Sequence, residues 1–135
     1  MGTTKVAGYL VDLSDGRTLA AKGIMNPQFS YGEDIISRIT GVINSPTEGE
    51  QLQKLVAEAL SQLALDLCQE VGAEVEEIVE AVVVGNTAMH HLFLGLPVRQ
   101  LAQSPFVPAV SEALDIKARD LGLHVAPGAY VHLLP

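Results

Sequence analysis

Ile78-Val79-Glu80-Ala81-Val82-Val83-Val84-Gly85-Asn86-Thr87-Ala88-Met89-His90-His91-Leu92-Phe93-Leu94-Gly95-Leu96 is the stretch whose reading decides the fold. Ile78 to Val84 is a short, nearly continuous β-branched run, the composition of a strand covered on both faces. Gly85-Asn86-Thr87 breaks it, and Met89, Leu92, Phe93 and Leu96 then recur at helical spacing until Gly95 and Pro97. A buried strand that turns directly into a helix is a building unit of α/β folds, which place ligands at the carboxyl ends of their strands. Asn86 and Thr87 are therefore candidate ligand-proximal residues. Thr87 equally suits a helix N-cap and Asn86 a positive-φ turn position, so a structural reading stands beside the functional one.

The other informative turn is Met1-Gly2-Thr3-Thr4, which runs straight into an alternating apolar segment, Val6 to Leu13. A Gly-Thr-Thr bend places a backbone without Cβ and two hydroxyls together, and such bends suit phosphate because N–H groups and hydroxyls donate to its oxygens. Its place at the start of the chain, with no strand before it, reads as a cut inside a larger nucleotide-handling domain. Ser14-Asp15-Gly16-Arg17 is turn chemistry, and Thr18 to Met25 reads as the returning strand of a hairpin. Asn26-Pro27 ends that strand.

From Tyr31 the period changes. Ile35, Ile36, Ile39, Val42 and Ile43 fall on one helical face, with Glu33 and Asp34 in the first turn, where the helix dipole favours anions. Ser45-Pro46-Thr47-Glu48 offers an N-cap, a proline at the first helical position and a glutamate placed for a capping box. Leu52, Leu55, Val56, Ala59, Leu60, Leu63 and Leu67 then form a one-sided stripe that should cover a sheet or a neighbouring helix. Gly72 suits the C-terminal cap, and Cys68 is explained as a small packed residue. Val98 to Ala113, with Pro105 and Pro108, is expected to be irregular. A short helical turn over Asp120 to Leu123 and a final strand over Tyr130 to Leu134 complete the reading.

Composition bounds the function. A 135-residue chain with 48% apolar residues supports one core. A net charge of −8 argues against nucleic acid and anionic membrane as partners. The single cysteine, Cys68, builds no disulfide framework or iron–sulfur site. No apolar run reaches the ~18 residues of a membrane span, and no signal sequence is present, so the default compartment is the cytoplasm. No resident metal is expected. His90 and His91 are adjacent on a helix and diverge by roughly 100°, while His124 and His132 lack a carboxylate or cysteine at ligand spacing, so surface or partly packed roles are expected for all four. Neither a dinucleotide-binding glycine motif, a P-loop nor a nucleophile elbow occurs.

Several of these segments, in this order, resemble the ATPase domain of reductive activators of corrinoid enzymes. They are Gly2-Thr3-Thr4 with its hairpin, Asn26-Pro27-Gln28, Gly32-Glu33-Asp34-Ile35-Ile36-Ser37-Arg38-Ile39 and Val84 to Leu96. Ser104-Pro105-Phe106-Val107-Pro108 and Leu133-Leu134-Pro135 extend the resemblance over nearly the whole chain. It implies the actin-like superfamily that also contains acetate and sugar kinases. The implied fold is α/β, a ribonuclease-H-like lobe with a mixed sheet, opened by the hairpin and lacking its first strand. Residues 1–135 would be a single partial domain, the first lobe.

The implied activity is ATP-dependent return of an inactivated Co(II) corrinoid to Co(I), with a corrinoid protein as partner and nucleotide-driven conformational change as the driver. Gly2, Thr3 and Thr4 would bind nucleotide, Asn86 and Thr87 would lie near the ligand, and Asp34 is the candidate catalytic carboxylate. ATP and Mg²⁺ belong to the parent protein and the iron–sulfur cluster to a domain outside this sequence. No cofactor is expected on these residues alone. The family's phosphate motif begins with an Asp and an apolar residue. Here Met1 fills the apolar slot and the Asp position falls before it. The unpaired sheet edge left by a missing strand also suits homodimerisation. A small-molecule kinase lobe, with Asp34 or the Asn86 turn orienting a hydroxyl, and a non-enzymatic scaffold module are the alternative readings.

Overall fold

A computed structural model describes residues 1–135. The N-terminal hairpin forms as expected: β1 (Lys5–Val11) pairs antiparallel with β2 (Thr18–Met25) around Gly16 at φ 74°. A 3₁₀ turn over Pro27–Tyr31 leads to α1 (Ile35–Asn44), followed by the 26-residue α2 (Pro46–Val71). Then come β3 (Glu80–Val83), α3 (Thr87–Leu94), β4 (Leu114–Lys117) and β5 (Tyr130–Leu133). Val98 to Ala113 holds only a 3₁₀ turn at Arg99–Leu101. The helical turn expected at 120–123 forms slightly earlier, at Ala118–Leu121.

The class is mixed α/β, but the strands form two small sheets instead of one. β1 and β2 make one sheet; β3, β5 and β4 make the other, with β5 central, parallel to β3 and antiparallel to β4. β4 was not legible as a strand, because Leu114-Asp115-Ile116-Lys117 is short and follows a proline-rich stretch. Both sheets rest on α2. Leu63 and Leu67 pack under Val6 and Ala20 of the hairpin. Further back along the helix, Leu52, Val56 and Ala57 enter a larger core with Ile39, Phe93, Val131 and Leu133. Gly8 permits the close approach of helix and hairpin, since a Cβ there would lie 2.8 Å from Leu63 Cδ2.

Three local expectations are corrected. β3 is covered on one face only: Val82 and Val84 are 65% and 53% exposed. Its β-branched run therefore reflects strand propensity without two-sided burial in these residues. Ile36 is exposed while Ile39 is buried, because the inward arc of α1 is narrower than its apolar content. No capping box starts α2. Ser45 Oγ lies 3.2 Å from Thr47 Oγ1, and the Glu48 carboxylate lies over Gly41, so neither reaches back to the helix end. Gly72 does cap α2 in the left-handed conformation, at φ 73°.

Between β1 and β3 lies an apolar slot of about 860 Å³, floored by Leu60, Leu63 and Leu67 of α2. No helix is long and apolar enough to cross a membrane.

Candidate functional site

Gly2-Thr3-Thr4 forms a tight turn closed by Gly2 N–H donating to the Lys5 carbonyl at 2.8 Å. Glycine is required, because a Cβ would meet that carbonyl oxygen at 2.8 Å. All three carbonyls of the turn are tied down from behind. Asn26 Nδ2 donates to the Gly2 carbonyl at 2.9 Å, Arg38 Nη2 to that of Thr3 at 2.7 Å, and the Asn26 backbone N–H to that of Thr4 at 2.8 Å. By contrast, neither the Thr3 nor the Thr4 N–H donates to a backbone carbonyl. The turn thus spends its acceptors on the protein and keeps adjacent donors in reserve, the polarity an anion selects.

The second turn arrives at the same place. Asn86 Nδ2 donates to Thr3 Oγ1 at 3.0 Å, linking the two bends directly. Asn86 Oδ1 accepts from Met89 N–H at 2.9 Å, so Asn86 caps α3 and Thr87 is its first residue. The structural reading is corrected: Asn86, at φ −67°, is itself the N-cap and not a positive-φ turn residue, Thr87 is not the cap, and the capping residue also contacts the Gly2-Thr3-Thr4 bend. The N-terminal end of α3 adds its partial positive charge to this end of the sheets.

Beneath the turn sits Arg38, 0% exposed. Its Nε donates to the Gly32 carbonyl at 2.9 Å and its Nη1 approaches Gln28 Oε1 at 3.4 Å. Gln28, also buried, donates through Nε2 to the Leu52 carbonyl at 3.0 Å. Burial lowers the guanidinium's pKa, and the nearby Asp34 charge partly opposes that shift. Arginine nonetheless stays protonated, so an arginine cation with no ion-paired carboxylate lies directly behind the turn. Asn26, Gln28 and Arg38 had no assigned role in the sequence reading. The legible signal was an arginine on the same helical arc as Ile35, Ile39 and Val42, a place where a charge needs a reason.

Asp34 is the N-cap of α1. Its Oδ1 accepts from Ser37 N–H at 2.7 Å, and that hydrogen bond holds its carboxyl below the usual range. The surface or partly packed roles expected for the histidines are corrected for His90 and His91, which the packing of α3 buries: His91 has Nδ1 2.7 Å from the Thr87 carbonyl and Nε2 accepting from Ala109 N–H at 2.9 Å. His90 is buried with Nε2 unpartnered, beside a cavity of about 100 Å³. Burial, then the neighbouring His91, lowers its pKa. His132, expected to lack a carboxylate partner, pairs with Asp115 across β4 and β5, an alignment set by strand register that linear spacing does not reveal. No three acidic, histidine or cysteine side chains gather into a metal-binding group. Cys68 is buried, and desolvation with nearby Glu77, Glu74 and Glu76 raises its thiol pKa, which disfavours the reactive thiolate.

The chain is similar to known proteins over its whole length. The corrinoid activation enzyme RamQ of Eubacterium limosum is 31% identical over 135 residues, covering 100% of this chain and 23% of that protein. A solved structure described as a reductive activator for corrinoid, iron-sulfur protein superposes with a TM-score of 0.96 at 39% identity, covering 100% of this chain and 22% of that one. The chain thus spans under a quarter of the length of either relative. The family model described as the RACo middle region matches residues 1–135, and the chain belongs to that family.

Proposed function

We propose that this chain is the middle module of an ATP-dependent reductive activator of a corrinoid protein, in which Gly2-Thr3-Thr4 supplies one phosphate-binding turn. The observation that carries the reading is the polarity of that turn, with three carbonyls clamped by Asn26 and Arg38 and the Thr3 and Thr4 N–H groups left without backbone partners. The donors present fit phosphoryl oxygens. Nucleotide phosphates would meet the Thr3 and Thr4 amides and hydroxyls, with Asn86 and Thr87 on their flank and the Arg38 charge behind. Bound Mg²⁺ would neutralise phosphate charge, and carboxylates elsewhere in the longer protein would complete its shell.

The fold that accords with this role is a ribonuclease-H-like lobe of an actin-like ATPase, with residues 1–135 as a partial domain. ATP hydrolysis would drive a change of state that lets an iron–sulfur module deliver an electron to Co(II) corrinoid. The cluster would be held by residues elsewhere in the longer protein, a reading supported by the single, buried cysteine of this chain. The partner is a corrinoid protein and the compartment the cytoplasm.

The test is made in the full-length protein. Thr3→Val removes one hydroxyl at nearly constant shape, and its expected effect is a fall in ATP turnover of roughly tenfold, the scale of one lost hydrogen bond to a charged group. Unchanged turnover overturns the assignment of the turn. Asp34→Asn keeps an N-capping side chain, so melting should be unaltered; a marked fall in turnover would give Asp34 a catalytic role, and wild-type turnover would confine it to capping. The isolated chain should bind Mg-ATP no tighter than about millimolar, on the order of −4 kcal/mol, without hydrolysis. Calorimetry and a phosphate-release assay measure both.

A further inference from the structure

The cavity of about 100 Å³ beside α3 is walled by Thr87 and His90 of the helix, by Pro108, Val110 and Ser111 of the loop that precedes β4, and by Pro135. Its loop wall is held by the neighbouring histidine. His91 Nε2 accepts from Ala109 N–H at 2.9 Å, which leaves the ring proton on Nδ1 to be donated to the Thr87 carbonyl at 2.7 Å. One neutral imidazole thus fastens the loop to the first turn of α3 and sets the two faces of the cavity against each other.

The polar groups around this space are not satisfied by the protein. His90 is only 4% exposed, and its Nε2 meets no donor or acceptor. A buried ring nitrogen left unpaired is destabilising, and the few such groups in native structures call for a partner or a function. Thr87 and Ser111 each bring a hydroxyl to the same walls. The Thr87 N–H, at the first position of α3, donates to no backbone carbonyl.

The composition of the walls decides what fits. A hard cation needs carboxylates, and none lines the cavity although the chain carries 16 Asp and Glu residues. An apolar ligand needs apolar walls, and Val110 with two prolines supplies little. Hydroxyls, a free helix N–H and an imidazole that carries its proton on Nε2 are all donors, and the positive end of α3 reinforces them. Size narrows the choice further: pockets for drug-sized organic ligands run to roughly 300–1,000 Å³, so a space of about 100 Å³ admits a small oxyanion and excludes a nucleoside.

We propose that this cavity is a phosphate site, in which His90 Nε2–H, the Thr87 and Ser111 hydroxyls and the Thr87 N–H donate to a tetrahedral oxyanion. Asn86 directly precedes Thr87, and its amide touches Thr3 Oγ1 at 3.0 Å, so the site adjoins the Gly2-Thr3-Thr4 turn across a single residue. Two sources supply this chemistry: free inorganic phosphate, and the terminal phosphoryl of a nucleotide held by that turn. The second source rests on the ATP reading above; the first does not.

The experiment uses the full-length protein. Equilibrium dialysis against radiolabelled phosphate, in buffer free of other oxyanions, is run with the wild type and with variants, alone and beside a saturating non-hydrolysable ATP analogue. Ser111→Ala removes an exposed hydroxyl and leaves the core intact, and it should weaken the oxyanion about tenfold, the scale of one hydrogen bond to a charged group. His90→Phe fills the cavity and removes Nε2, so binding should be lost, while His90→Gln restores a donor and should recover part of it. Phosphate binding that shows this pattern and persists beside the analogue identifies the free ligand. An analogue affinity that itself falls about tenfold in Ser111→Ala identifies the terminal phosphoryl. Neither phosphate binding to the wild type nor an effect of Ser111→Ala on the analogue overturns the proposal. Phosphate binding that Thr3→Val abolishes and that Ser111→Ala and His90→Phe leave intact belongs to the turn, and also overturns it. Phosphate retention is read without ATP turnover, so failure of this site and failure of the nucleotide reading give different results.

Discussion

The hairpin β1–β2 and the sheet β3-β5-β4 rest on the same helix, yet they are held in different ways. The larger sheet closes over a continuous core of fourteen buried apolar residues drawn from all three helices, from β5 and from the connecting segments at Val98 and Ala118–Ala129. The hairpin has a core of four, Val6, Ala20, Leu63 and Leu67. It is otherwise fastened by polar contacts: Asn26 and Arg38 at the turn end, and the Lys22–Asp66 ion pair at 2.7 Å along its outer strand. Surface ion pairs contribute little, so the polar contacts at the turn end matter more. The lesson is that the candidate phosphate turn sits on the half of the molecule that depends on hydrogen-bond geometry, and Arg38 is the residue that ties that turn to α1.

The largest effect should come from the shared core. Phe93→Ala removes a fully buried ring and should cost about 3–5 kcal/mol, unfolding the module as a whole. Leu67→Ala lies under the hairpin and should cost about 2–3 kcal/mol. Its exchange signature should be confined to β1 and β2. Equal, global loss of protection in both variants would show that the two halves are one cooperative unit and break the comparison.

Next in size is Arg38→Met, which keeps an apolar stem and removes the guanidinium. The bonds to the Thr3 and Gly32 carbonyls are lost, while the cost of burying a charge is relieved, so a net destabilisation of about 1–3 kcal/mol is expected. Exchange should quicken over Gly2–Val6 and stay unchanged around Phe93. ATP turnover in the longer protein should fall further than stability alone explains. Wild-type exchange at the turn would remove Arg38 from its proposed positioning role.

Much of this division was legible in the residues. The alternation of Val6 to Leu13, the Gly16 turn and the long leucine stripe of α2 specify their elements locally, because period and turn chemistry agree there. The Gly2 bend was legible for the same reason, because a tight bend requires glycine there; the cap of α3 was misplaced by one residue, falling on Asn86 at φ −67° and not on Thr87. Contacts decided by register were not legible. Nothing along the chain pairs His132 with Asp115, or aims Arg38 at Thr3 from thirty-five positions away. The open face of β3 was misread for a related reason. Val82 and Val84 carry the composition of a two-sided strand, while only one side is covered by these residues.

The smallest expected effect separates the halves by acidity. His90 lies in α3, and its pKa is lowered by burial and then by His91. Above about pH 6.5, the ordinary imidazole value, folded and unfolded states are both neutral at this site and its contribution is complete. As pH falls through that value the unfolded chain takes up a proton that folded His90 resists, so stability declines. On the hairpin side, Asp66 has a lowered pKa, chiefly from its hydrogen bond to Lys22, and Asp12 from its bond to Ser14. Their contributions persist down to the ordinary carboxylate range near 3.8 and are lost only below it. Mild acid should therefore loosen the α3 region first, and exchange measured at about pH 5.5 against pH 7.5 should quicken around Met89–Phe93 before it quickens in β1 or β2. His90→Phe should flatten that difference. If the hairpin loosens first, or the variant keeps the wild-type profile, the titrating group lies elsewhere and the acid sensitivity belongs to the polar half.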